Sequence, residues 1–499
     1  MTATNDPYRD LESRFRRLGL LQEASGFLSW DTDTMMPEGG ASSRAEQQAA
    51  LDVVCHELLT GPELPDLFAA AAAETGLDSW QSTNLREMRR EWLHATSVPS
   101  DLVEASSRAC SSCEMAWRKA RAANDYASVR PLLQTVLDLT RQIGQAKAAK
   151  LGVTPYEALL DQFEPGGRVA HIDPLFARIS EILPGLIEDA LAFQAKRPVP
   201  QRPSGPFPVE AQRQAGHTLM EKLGFDFAHG RLDVSQHPFS GGTPEDARIT
   251  TRYDEGDFAR SLMGVLHETG HALYTRGLPA AWRHQPVGEA RGMSIHESQS
   301  LLMEMQLCRS REFLAFAAPI LRQCFHGSGP AWEAENLYRL GTRVQRSFIR
   351  VDADEVTYPA HVILRYRLER AMIAGDLGLK DLPNAWNEGM KNLLGVAPPD
   401  DRQGCLQDIH WYDGGFGYFP TYTLGAMTAA QLFDAAKREA SVTQGISRGD
   451  FAPLLAWLRR HVHGLGSSLS TADIILRATG KPLGTEVFER HLRTRYLAA

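Results

Sequence analysis

Leu266-His267-Glu268-Thr269-Gly270-His271-Ala272-Leu273-Tyr274 reads H-E-x-x-H. In an α-helix each residue turns the chain by about 100°, so His267 and His271 lie within roughly 40° of each other on one face. Two imidazoles so placed can bind one divalent metal. Glu268 projects from the flank of that face, where it reaches a metal-bound water and not the metal itself. Leu262, Leu266, Thr269 and Leu273 form a stripe away from the histidines, which supports the helix. Gly277 and Pro279 supply its stop. Alone the string carries moderate weight, because it arises by chance in roughly 3 to 4 of 100 chains of this kind. A metallohydrolase also needs a third ligand, a substrate clamp and an oxyanion donor.

The chain has 499 residues and an ordinary globular composition, and by length about two to four domains or one large helical one. We expect a single catalytic unit over residues 1–499. The net charge of −8 argues against nucleic acid as a partner, and no basic patch supports one. Met1–Arg17 is polar and charged, without the apolar core of a secretory signal, and no apolar run is long enough to span a bilayer. The six cysteines are too sparse for a disulfide framework, and Cys110-Ser-Ser-Cys113 has no second pair, so it reads as a helix-face coincidence. The expected location is cytoplasmic, with no membrane partner.

Most of the chain has helical spacing. Residues 7–28 read as a helix, followed by a turn-rich insert from Leu28 to Pro37. Asp101–Leu151 reads as one or two long helices, the latter forming a hairpin. The Pro-rich stretch from Pro198 to Pro208 is an exposed connector, and a subdomain boundary is expected near 197–208. Residues 231–235 and 248–253 alternate and are rich in β-branched side chains. They predict two strands of a small antiparallel sheet, joined by a loop containing His237-Pro238-Phe239-Ser240-Gly241-Gly242. From Phe258 onward helices follow one another, including single helices over 295–324 and 331–348.

For the third ligand, Glu297 lies 26 residues beyond His271, room for a loop and the first turn of a second helix. Ser294 and Glu297 also form S-x-x-E, a capping box, so Glu297 could instead cap that helix. Glu289 and Glu304 are the other nearby carboxylates, and spacing alone leaves the choice open.

Several separate motifs then converge: His237-Pro238-Phe239, Asp246-x-Arg248-x-Thr250, His267–His271, His296-Glu297-Ser298-Gln299, Ile349–Glu355 and Gly404–Trp411. Trp30–Pro37 and Ser470–Gly480 add to them. Together these resemble the carboxypeptidase Taq family of zinc metallocarboxypeptidases over essentially the whole chain. The spacing is also similar to the wider group of helical zinc peptidases that includes angiotensin-converting enzyme and neurolysin. The resemblance implies a mainly α, two-lobed fold with a deep central cleft and one Zn2+ per chain at its base. It implies a cytosolic homodimer that removes single residues from peptides with a free C-terminus, with broad specificity. It makes Glu297 the third ligand beside His267 and His271.

Within that resemblance each residue acquires a role. Glu268 is the general base that takes a proton from water and passes it to the leaving amine. Arg350 is the first choice for clamping the substrate carboxylate, since a guanidinium pairs both oxygens, and Arg248 is the second. Each also has a structural reading, Arg350 as a partner of Asp352 or Asp354 and Arg248 as a partner of Asp246. Tyr418 or Tyr422, in the Gly- and aromatic-rich stretch from His410 to Tyr422, can donate to the oxyanion. His410 and His237 are candidates for holding substrate backbone, with packing or capping as the alternative. Gln407, a further substrate-binding candidate, and Asp408 can support this shell. Two His and one Glu suit zinc, with Co2+ or Mn2+ as substitutes. The rival readings are an oligopeptidase or dipeptidyl carboxypeptidase on the same fold, and a peptide-binding protein that has lost catalysis.

Overall fold

The computed structural model describes residues 6–498, and among them the chain is mainly helical with one three-stranded sheet. No helix among the described residues is long and apolar enough to cross a membrane.

The centre of the architecture is the helix Phe258–Arg276, here the motif helix. Asp257 caps it by accepting from the amides of Ala259 and Arg260. Its two apolar faces go to different partners. Val265 and Ala272 pack with Met220 of the helix Val209–Leu223 and with Ala247 and Ile249 of the sheet. Leu262, Leu266 and Leu273 join the main core, which includes Ile295 and Leu301 of the helix Met293–Leu301, the crossing helix. Gly270 sits at this crossing. A Cβ there would lie 2.5 Å from the Gln299 carbonyl oxygen and 2.6 Å from Ser300 Cα, so the helices meet at a distance that only glycine permits.

The sheet departs from expectation. Its strands are β1 (Gly230–Val234), β2 (Ser240–Thr243) and β3 (Asp246–Thr251), in the order β1-β3-β2. The expected pair runs parallel, Arg231 facing Arg248, and β2 alone is antiparallel to β3. The sheet is therefore mixed. The reversal occurs inside the expected loop, where Ser240-Gly241-Gly242-Thr243 is a strand without a single large side chain. Gly242 has φ 84°, and a Cβ there would collide with the Asp246 carbonyl. Such a strand carries no β-branched or alternating signal before Thr243.

Other differences are local. The first helix, Pro7–Thr34, runs through the expected turn at Leu28–Thr34. The hydroxyls of Thr32 and Thr34 donate to the carbonyls of Leu28 and Trp30 one turn back, and Asp31 pairs with Arg44 of the helix Ala41–Thr60 at 2.7 Å. The short polar residues that mimic a turn are thus satisfied within the helix. Ser100–Ala123 and Tyr126–Leu151 form the expected hairpin, turning at Asn124 with φ 55°. The single helix expected over 295–324 is instead the crossing helix, a π-helical segment Leu302–Cys308 and a new helix Arg311–Cys324 started by Ser310. The helix expected over 331–348 stops at Gly341, after which the amides of Val344 and Gln345 donate to Gln194 and Asp354 side chains. In the Pro-rich connector, Gln201 exchanges two 2.8 Å hydrogen bonds with Asn336, and Phe207 is buried against Phe258, Phe325 and Trp332.

Candidate metal centre

The motif helix places His267 and His271 with ring centroids 5.0 Å apart. The crossing helix brings Glu297 to them. Its Oε2 lies 3.5 Å from His271 Nε2 and 3.9 Å from His267 Nε2. Glu297 is held there by a third helix, Pro420–Ala436, in which Gly425 leaves room. A Cβ at Gly425 would lie 2.9 Å from Glu297 Cβ. The capping-box reading does not hold, because Ser294 is already inside the crossing helix and its amide donates to Glu164 Oε2 at 3.0 Å.

These three residues are the donor group, among the described residues, whose atoms could hold one ion, all lying within 4.8 Å of one another. Two ligands about 2.1 Å from a tetrahedral ion are themselves roughly 3.4 Å apart. The separations to Glu297 are close to that figure. The donor chemistry fits too, as two imidazoles and a carboxylate suit a borderline divalent cation.

The electrostatics point the same way. Burial opposes charging of His267, yet Glu297, Glu304 and Glu268 outweigh it and raise its pKa to about 10. Burial likewise opposes ionisation of Glu297, and His267 and His271 overcome it, lowering the carboxyl to about 2. Glu304 is already paired with Arg309, so the negative charge facing the two imidazoles is that of Glu297 and Glu268. His296, 4.5 Å from the His271 ring, is pushed down to about 3 by burial and by His271, and stays neutral.

Glu304 was among the sequence candidates for a ligand. The structure places it behind the site, with Oε2 3.0 Å from His267 Nδ1 and Oε1 accepting from Arg309 at 2.6 Å. It therefore orients the ring of His267 and leaves Nε2 facing Glu297. Glu268 is buried on the flank of the motif helix and has no hydrogen-bond partner among the described residues.

Beyond Glu297 stands an aromatic wall. Tyr418 and Tyr422 are 5.1 Å apart, and Tyr358, unremarked in the sequence, lies 6.3 Å from Tyr422. Burial raises all three phenols, and the charge of Glu297 adds to each. The Tyr422 hydroxyl is 3.2 Å from His410 Nε2. Burial holds His410 down to about 4.

Arg350 lies behind this wall, its guanidinium 4.8 Å from the Tyr422 ring. Its ion-pair partner is neither Asp352 nor Asp354. Asp352 pairs with Arg260, and Asp354 receives the amides of Val356 and Thr357. Arg350 instead donates twice to Asp408 Oδ1, at 2.9 and 3.1 Å, while Asp408 Oδ2 accepts from Arg365 at 2.6 Å. The Tyr358 phenol is a further hydrogen-bond neighbour of the Arg350 guanidinium. Gln407 is occupied by backbone: its Oε1 accepts from the Arg350 amide and its Nε2 donates to carbonyls of Phe348, Gln403 and Gly404. Arg248 is paired with Asp246 at 2.6 Å and stacked on Phe27 and Trp30. His237 is exposed between β1 and β2.

Comparison with known proteins gives a consistent answer. A profile of the carboxypeptidase Taq (M32) metallopeptidases matches residues 10–496. Thermostable carboxypeptidase 1 of Thermus thermophilus is 37% identical over 507 residues, covering 98% of each chain. Carboxypeptidase 1 of Bacillus subtilis is 32% identical with 96% of each covered. The solved structure of Trypanosoma cruzi metallocarboxypeptidase 1 is 41% identical, covers 98% of this chain and 99% of its own, and superposes with a TM-score of 0.96. With a donor group suited to one cation and a full-length match in sequence and fold, the chain belongs to the carboxypeptidase Taq (M32) metallopeptidases and is a metallocarboxypeptidase.

Proposed function

We propose that the chain is a zinc-dependent carboxypeptidase that releases single residues from the C-termini of peptides with broad specificity. His267, His271 and Glu297 hold the ion, and Glu304 orients His267. When bound, the ion supplies a Lewis acid that acidifies a water and polarises the scissile carbonyl. Glu268 receives the proton of the attacking water on its carboxylate and delivers it to the departing amine. Tyr418 or Tyr422 donates its hydroxyl to the oxygen on which negative charge develops. Both phenols are raised by burial, so each keeps its proton at neutral pH.

The observation that carries the C-terminal specificity is a buried charge imbalance. Arg350 and Arg365 share the single carboxylate of Asp408, and the adjacent His361 and His410 are held neutral, chiefly by burial. One positive charge is left over behind the tyrosine wall. A substrate carboxylate on Arg350 neutralises it, and a blocked terminus does not. Arg248, by contrast, is already neutralised by Asp246 and lies with Trp30 on the sheet side. His410 bonded to Tyr422 serves to orient that phenol, and exposed His237 contributes at most to substrate backbone.

We further propose that residues 1–499 act as one catalytic unit, and that a homodimer works in the cytoplasm. The decisive experiment measures products from a peptide with a free C-terminus and from its amide, for the zinc-loaded wild type and for Glu268→Gln. Single-residue release from the free peptide alone, lost in Glu268→Gln with zinc retained, is the expected result. Cleavage of the amide would favour an oligopeptidase, release of dipeptides a dipeptidyl carboxypeptidase, and absence of turnover with metal bound a silent peptide-binding protein.

A further inference from the structure

We infer that a second, arginine-lined cavity on this chain binds a small phosphate-bearing molecule with an apolar body. The cavity, of about 370 Å3, lies where the end of the helix Val169–Ala195, the helix Ala334–Gly341 and the C-terminal helix Glu486–Leu497 come together. Arg197, Arg339, Arg343 and Arg495 line it, with Phe193 and Tyr338, and no Asp or Glu is among its lining residues. None of the metal donors, nor Glu268 or Arg350, contributes to it.

The charge is what singles this place out. Arg495 is neutralised by Glu355 at 3.1 Å. Arg197, Arg339 and Arg343 make no ion pair among the described residues, in a chain whose net charge is −8. Three uncompensated guanidinium groups around one concavity repel each other, and low-dielectric walls focus their field into it. An exposed arginine on a convex face is simply hydrated. Two of the three are also positioned, while Arg343 is exposed at the rim. Arg197 is stacked 4.3 Å over the Phe193 ring, and Arg339 donates to the Pro198 carbonyl. A stacked guanidinium offers its N–H edge outward, the geometry that pairs with phosphate oxygens.

The ligand class follows from volume and chemistry. A cavity of this size is in the range of small-molecule sites, roughly 300–1,000 Å3, and is larger than a bare phosphate needs. Leu191, Phe193, Tyr338 and Val344 give the remaining space apolar walls. The absence of carboxylates excludes a cation. A larger cavity of about 1330 Å3 elsewhere does not invite the same reading, because Glu164 and Asp473 line it along with its arginines. There Arg86 and Arg291 both pair with Glu87, at 3.1 and 3.2 Å.

The test is calorimetry on the full chain with two probes, inorganic phosphate and adenosine 5′-monophosphate, against sodium chloride at equal ionic strength. We expect saturable binding of the nucleotide at one site per chain, tighter than that of phosphate and unchanged when the enzyme is stripped of metal by a chelator. Arg343→Gln and Arg197→Gln should each weaken it about tenfold, the loss of one charge-assisted hydrogen bond, with unchanged melting temperature. Failure of both probes to saturate would overturn the proposal. So would binding that vanishes with the metal, or binding that neither substitution weakens.

Discussion

Asp408 holds Arg350 by one edge: a single oxygen, Oδ1, lies 2.9 Å from Nη2 and 3.1 Å from Nε. The second oxygen belongs to Arg365. Burial opposes ionisation of Asp408, yet the two guanidinium groups hold its carboxyl far below the usual range. The pair is therefore charged at every working pH, and Asp408 fixes the orientation of Arg350, with the Tyr358 phenol as a further neighbour of its guanidinium.

Two substitutions separate clamp from scaffold. Arg350→Ala should lower kcat/KM on a free C-terminus by about a hundredfold, two charge-assisted hydrogen bonds at about 1.5 kcal/mol each, and leave any residual rate on an amidated analogue unchanged. Asp408→Ala should cost about 3–5 kcal/mol of stability in denaturant titration, since it strands two buried guanidinium groups. An equal loss on both peptides would remove Arg350 from substrate recognition.

Behind the metal donors, Glu304→Gln should weaken zinc affinity by about 10- to 100-fold, read by titration against a competing chelator. The substitution keeps the shape, yet it removes the charge that His267 Nδ1 and Arg309 share. Unaltered affinity would show that His267 needs no orienting partner.

Two glycines of the motif helix should respond in opposite directions. Gly270→Ala drives a Cβ into the backbone of the crossing helix and should destabilise by about 1–3 kcal/mol, with loss of metal affinity. At Gly264 no atom lies within 4 Å of an added Cβ, so Gly264→Ala should stabilise by about 0.5–1 kcal/mol. Thermal melting of the two variants side by side measures both.

Glu369 gives the fold a pH dependence of defined sign. Its carboxyl is fully buried beneath the Gly-rich stretch, where Tyr156 and Trp411 donate to it at 2.5 and 3.2 Å. Burial raises it from 4.5 to about 7, against the lowering effect of those hydrogen bonds and of the Gly417 amide. The folded chain then keeps a proton that the unfolded chain releases. Its contribution to stability is complete below about pH 4.5 and is lost as pH climbs towards 7, by at most about 1.4 kcal/mol per unit. Glu369→Gln should flatten that part of the stability–pH curve, and an unchanged slope would locate the titration elsewhere.

What the sequence disclosed and what it hid follow one division. The motif helix was legible because one apolar stripe and two histidines share a 3.6-residue period that ends at a Gly-Pro stop. The hairpin at Asn124 and the meeting of Glu297 with the histidines were legible from motif spacing and family resemblance. Strand β2 was hidden, since two glycines and a serine carry no pattern. The helix through Thr34 was hidden because Asp31 and the threonines find partners only within the folded helices. Asp408 as the partner of Arg350 joins positions 58 residues apart, and the nearer acids Asp352 and Asp354 have partners of their own that only the fold brings to them.

The π-helical segment Leu302–Cys308 follows directly on the helix that carries Glu297. In a π turn each amide reaches back five residues instead of four, so the segment accommodates one residue more than an α-helix would over the same turn. That extra residue sets the rotational phase of Glu304 and Arg309 relative to Glu297. Deleting any one residue of 302–308 would let the segment wind down to regular helix and turn Glu304 away from His267. This stretch should therefore tolerate exchange of a side chain far better than a change in length. A one-codon deletion here is the mutation most apt to leave a folded chain that no longer holds its metal.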